Sequence, residues 1–68
     1  MTNTQLLREK INESGYKIYF IANKVGITYQ GLLNKMNNRN EFRANEIQAL
    51  FDLLNLSEEE RTAIFFAQ

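Results

Sequence analysis

The stretch from Ile18 to Met36, IYFIANKVGITYQGLLNKM, constrains the fold more than any other part of the chain. Ile18, Ile21, Ala22 and Val25 fall at i, i+3, i+4 and i+7, the apolar stripe of a short helix. Gly26 follows at once, and a glycine in the left-handed region is a common way to end a helix. Thr28 then supplies an N-cap, and Leu32 and Met36 form an apolar edge four residues apart on a second helix. Ala22 is small where two such helices must cross closely. The predicted unit is a helix-turn-helix over about residues 18–37, a motif whose second helix suits a DNA major groove.

Length and composition narrow the remainder. Sixty-eight residues fit one domain, residues 1–68, with a core near the lower limit for a chain that folds alone. There is no proline, and glycine occurs only at 15, 26 and 31, which favours an all-α fold. The absence of Cys and His excludes disulfides and thiol chemistry and leaves a zinc site without its usual ligands. No catalytic residue, metal or cofactor is expected. No apolar run approaches the roughly 20 residues of a membrane span, and no signal peptide is visible. A cytoplasmic location, in the cytosol of a bacterial host, is the expectation.

Zero net charge at first argues against a nucleic-acid partner. The distribution answers part of that objection. Residues 1–43 carry seven Lys or Arg against three Glu, a surplus of four positive charges. Residues 44–68 carry one Arg against five carboxylates, the same surplus with opposite sign. Either the basic half faces DNA, or the charges are ordinary solvated faces.

The flanking segments read as scaffold. Thr2 and Gln5 have capping-box spacing before a helix from about Asn3 to Ser14, with Leu7 and Ile11 inward, Arg8, Lys10 and Glu13 outward, and Gly15 as its stop. Tyr16 and Ile21 have the spacing of a hydrophobic staple about Lys17, although Lys is a poor cap. Phe20, off the stripe, is expected to pack against a neighbouring helix. Asn37-Asn38-Arg39-Asn40 is a turn, and Phe42 plugs the core as the chain returns. Ala44, Ile47, Leu50, Phe51 and Leu54 form the inner stripe of a fourth helix, which Asn55 ends. Ser57 and Glu60 make a second capping box, with acids where the helix dipole favours them, so the acidic run needs no catalytic explanation. A fifth helix to about Ala67 carries Ile64, Phe65 and Phe66. One helix face cannot bury all three, so Phe65 or Phe66 is expected to meet a second subunit.

On the third helix, at about 100° per residue, Gln30 and Asn34 lie opposite Leu32. Either they form a polar solvated face, or they read bases, since Gln and Asn can bond an adenine at N6 and N7. Tyr29 stands at the end of the helix that meets base edges, Leu33 is placed to touch a thymine methyl, and Gly31 would let the helix approach the sugar-phosphate backbone.

The pattern Ile21-Ala22, Val25-Gly26-Ile27-Thr28 and Leu32 resembles the helix-turn-helix of phage repressors of the Cro/lambda repressor-like family. The later residues Glu41-Phe42, Glu46-Ile47, Leu53-Leu54 and Ile64-Phe65-Phe66 extend the resemblance over nearly the whole chain. It implies a compact five-helix lambda repressor-like DNA-binding domain. Such a domain would bind double-stranded operator DNA as a homodimer and regulate transcription by promoter occlusion. It also implies that the loop after the recognition helix lies along the DNA backbone, which makes Arg39 and Arg43 the best phosphate candidates, with Lys35, Asn38 and Thr28 beside them. The family often begins its second helix with a phosphate-binding Gln where this chain has Ile18; Lys17 or Tyr19 would have to replace it, and Tyr19 reads equally as a surface aromatic. The rival from another class is a protein-interaction module, similar to small phage modulators that bind a partner repressor, favoured by the zero net charge and the Phe65-Phe66 end.

Overall fold

Five helices account for most of the chain in the computed structural model, which describes residues 1–66: α1 (Thr4–Ser14), α2 (Ile18–Val25), α3 (Tyr29–Met36), α4 (Ala44–Leu53) and α5 (Glu58–Phe65). No strand occurs among the described residues. The breaks between helices follow from residues that tolerate a left-handed backbone. Gly26 has φ 91°, and the N–H groups of Gly26 and Ile27 both reach the carbonyl of Ala22, which closes the end of α2 as the chain turns. Asn38 at φ 60° and Asn55 at φ 54° do the same work after α3 and α4. Arg39 N–H bonds the Asn34 carbonyl, Leu56 N–H bonds the Phe51 carbonyl, and Leu56 packs back into the core.

Every helix contributes a fully buried side chain to one core cluster, Leu7, Ile21, Leu32, Leu50 and Ile64, and α3 adds Met36. A side chain of this kind contributes about 1.5–3 kcal/mol when removed from water. The packing of α2 against both α3 and α4 fixes the α2–α3 pair on the scaffold, while α1 joins α3 to α5 and α4 closes on α5.

Four expectations change. Asn3, not Thr2, caps α1: its Oδ1 accepts from Leu6 N–H, whereas Thr2 is buried and its backbone is used elsewhere. Phe65 belongs to the core, 6% exposed and edge-on to Phe42 with ring centroids 5.4 Å apart, so its aromatic surface is already covered within one chain. Ala44, the first residue of α4, is exposed, and Glu46 is the buried residue of that first turn. Phe20 is more open than expected, 36% exposed with its ring centroid 5.0 Å from that of Tyr16, and Tyr16 of the predicted staple is itself 41% exposed. The predicted end of the last helix at Ala67 lies outside the described residues.

Candidate nucleic-acid interface

α3 starts from a single well-made cap. Thr28 Oγ1 accepts from Gly31 N–H at 2.9 Å, and its own hydroxyl proton remains free to donate. A Cβ on Gly31 would stand 2.9 Å from the same Oγ1, so the glycine makes room for this cap. The inner edge of the helix is Leu32 and Met36, both buried; the outer edge opens to solvent. Tyr29 is half exposed, Gln30 is exposed, and Leu33 and Asn34 are partly exposed. Gln30 Nε2 donates to Asn34 Oδ1 at 3.1 Å, which joins the two amides into one group. All four proposed base readers therefore reach the surface of one short helix.

The backbone candidates divide. Lys17 at the N-cap of α2, Arg39 in the loop after α3, and Arg43 at the N-cap of α4 are exposed, and none makes an ion pair among the described residues. Lys35 is different. Its ammonium pairs with Glu46, both side chains are nearly buried, and it is thereby committed to holding α3 against α4. Asn38 is also committed: its Oδ1 accepts from Thr2 N–H at 3.2 Å and its Nδ2 donates to the Thr2 carbonyl at 3.0 Å. These two residues build the interface from behind instead of offering free groups to phosphate.

The loop that carries Arg39 and Arg43 is thus tied at several points. Arg8 bonds Asn37 Oδ1 at 2.7 Å, Asn38 clasps Thr2, and Glu46 accepts from Arg43 N–H at 2.9 Å as well as from Lys35. Burial raises the Glu46 pKa, but the Arg43 N–H and the Lys35 ammonium together outweigh it and hold the carboxyl below its ordinary value. The supporting roles of Glu46, Arg8 and Thr2 were not foreseen. A signal existed for Glu46 alone, which stands three residues after the N-cap, where a glutamate reaches back to the cap N–H.

On α2, Tyr19 is 62% exposed, so it stays available either as a phosphate contact or as a surface aromatic. Lys24, one turn after Phe20, places its ammonium 5.5 Å from the ring centroid. At the far end of the chain, Phe66 is exposed and lines a groove of about 490 Å³ with Phe42, Ala44, Ile47, Gln48 and Arg61. Among the described residues there is no helix long and apolar enough to cross a membrane and no cluster of metal-ligating side chains. No family model, no curated protein and no solved structure matches the chain.

Proposed function

We propose that this chain is a sequence-specific DNA-binding regulator that lays α3 in the major groove of operator DNA and acts by occluding a promoter, in the manner of the Cro-like repressors it resembles. The observation that carries the reading is the outer edge of α3. A helix buried along Leu32 and Met36 presents Tyr29, Gln30 and Asn34 outward, the segment after it exposes Arg39 and Arg43, and the start of α2 exposes Lys17. Amides and a tyrosine match base edges, while cations match phosphates, which position the protein without reading sequence.

The caps support the same reading. Asn3, Thr28 and Ser57 cap α1, α3 and α5 with side-chain oxygens. The two helices whose N-caps make no side-chain bond are α2 and α4, and both carry a cation there, Lys17 and Arg43. A cation opposes the helix dipole by about 0.3–1 kcal/mol, and the missing cap costs about 1 kcal/mol more. Those penalties disappear when the neighbouring charge is a phosphate.

The active species would be a symmetric homodimer in the bacterial cytosol, with half-sites about 10 bp apart or a multiple of that, and Phe66 with its groove as the subunit contact. Titration of a labelled duplex at increasing salt tests the reading. Log K should fall against log salt at about 0.9 per phosphate neutralised, and Arg39→Ala or Arg43→Ala should weaken specific and non-specific DNA alike while lowering the slope. A slope unchanged in both variants would remove this loop from the DNA. The exposed Phe66 beside an apolar groove, in a chain of zero net charge, also favours a second reading as a module that binds a partner repressor. A gel shift with and without such a repressor separates the two.

A further inference from the structure

We infer, resting on the DNA-binding reading above, that Gln30 and Asn34 read two neighbouring base pairs as one bonded unit, in which Gln30 selects adenine and Asn34 selects a base with an outward acceptor, guanine or thymine. Taken separately, each amide carries an acceptor and two N–H donors, and each would suit adenine. The bond from Gln30 Nε2 to Asn34 Oδ1 changes that inventory. Gln30 keeps its Oε1 and one N–H, the acceptor–donor pair that meets adenine N6–H and N7. Asn34 has one lone pair of its oxygen taken by that bond, so its two N–H donors are the groups it presents most freely outward. Donors fit guanine O6 and N7 or thymine O4; adenine offers them only N7 beside its own N6 donor, and cytosine faces them with its N4 donors.

The spacing suits adjacent steps. Residues four apart on a helix are separated by about 6 Å along its axis, and the bond draws the two amide groups closer than that. The same bond holds two flexible side chains in place before DNA arrives, which removes part of the ordering cost of binding. Thr28 and Gly31 keep the first turn regular beneath Gln30, since the cap bond requires both residues as they are.

Selection of bound duplexes from a random pool, followed by a single-base scan, tests the unit on the full chain. Wild type should show adenine beside guanine or thymine in each half-site, each preference worth about tenfold to a hundredfold. Asn34→Ala should lose the neighbouring preference and also weaken the adenine preference, because Gln30 is no longer held. Asn34→Asp should keep the bond from Gln30 Nε2 but present an acceptor outward. It should therefore retain adenine and move the neighbouring preference to cytosine. Circular dichroism of each variant verifies that α3 still forms. A wild-type profile with two independent adenines, or an adenine preference untouched by Asn34→Ala, overturns the bonded unit while leaving the DNA reading in place. A pool with no enriched sequence and no salt-sensitive binding overturns both.

Discussion

Glu46 and Glu60 occupy the same position in two different helices. Each is the third residue of its helix, each accepts the backbone N–H of the N-cap residue, and each also holds a lysine from a distant helix: Lys35 for Glu46, Lys10 for Glu60. Their surroundings differ. Glu46 has a side chain only 6% exposed and an N-cap, Arg43, that makes no side-chain bond; Glu60 is more than a third exposed and follows Ser57, whose hydroxyl accepts from Glu60 N–H. The α5 device is complete in its local sequence and gains little from burial. The α4 device lacks its cap and is closed by tertiary structure, through α3. The starts of α4 and α5 are therefore secured by one motif used in two ways. On α5 it secures a helix. On α4 it secures the relation between the proposed recognition helix and the loop that carries Arg39 and Arg43.

The largest effect should come from Glu46→Ala. It leaves Lys35 nearly buried without its partner, and thermal unfolding should report a loss of about 3 kcal/mol. A loss no greater than that of an exposed ion pair would erase the distinction between the two glutamates. Acid should act on both sites in the same direction. The Glu60 carboxyl is held low first by the Lys10 ammonium and then by the Ser57 N–H, and Glu46 is also held low. A depressed carboxylate contributes stability that is complete above the ordinary value of 4.5 and vanishes as pH falls through the folded-state value. Glu46→Gln and Glu60→Gln should each flatten the acid limb of a stability–pH curve, and a limb unchanged in both would place acid unfolding elsewhere.

Ser57→Ala should cost about 1 kcal/mol, the usual value of a lost cap. The reverse experiment sharpens the comparison. Arg43→Ser supplies α4 with the cap it lacks and removes a cation from a helix N-terminus, so it should gain about 0.5–1 kcal/mol. The same change should weaken DNA binding and reduce the salt slope by about 0.9. Stability and binding moving in opposite directions at one residue would be the mark of a site kept for function. The smallest effect should belong to Lys10→Met. It removes the ammonium that bridges Glu60 and Glu13, whose own side chains are more than a third exposed, and circular dichroism should find the helices intact.

The contrast also explains what was legible in the sequence. Gly26, Thr28, Asn55 and the Ser57–Glu60 box are local signals, and the helix boundaries they mark are present in the fold. At the N-terminus Thr2, Asn3 and Thr4 are all capping types, so local chemistry did not single out Asn3; the burial of Thr2 against the loop after α3 decides it. Lys35 carries no local mark of its pairing, because Glu46 is eleven positions away on another helix. The same holds for Phe65 and Phe66. Adjacent phenylalanines at a helix end differ only in which one meets Phe42, and that contact depends on the returning chain. At the candidate interface, helical periodicity alone separates Leu32 and Met36 from Gln30 and Asn34, so the outer edge of α3 was open to reading. The bond between the two amides, and the diversion of Lys35 and Asn38 to structural duty, required coordinates.

The clasp of Thr2 by Asn38 has a kinetic meaning. Neighbouring helices such as α2 and α3 meet through short loops, which close quickly. The clasp joins positions 36 apart, and the nearby bond from Asn3 N–H to the Ile64 carbonyl joins the two ends of the fold. Contacts so remote in sequence carry a larger closure entropy and gain strength only once the helices between them are in place. The first residues of the chain should therefore be a late-closing strap. Asn38→Ala should raise the unfolding rate while the refolding rate stays near that of wild type, as for any interaction absent from the transition state. On this account the lifetime of the folded protein is set in part by residues that precede its first helix.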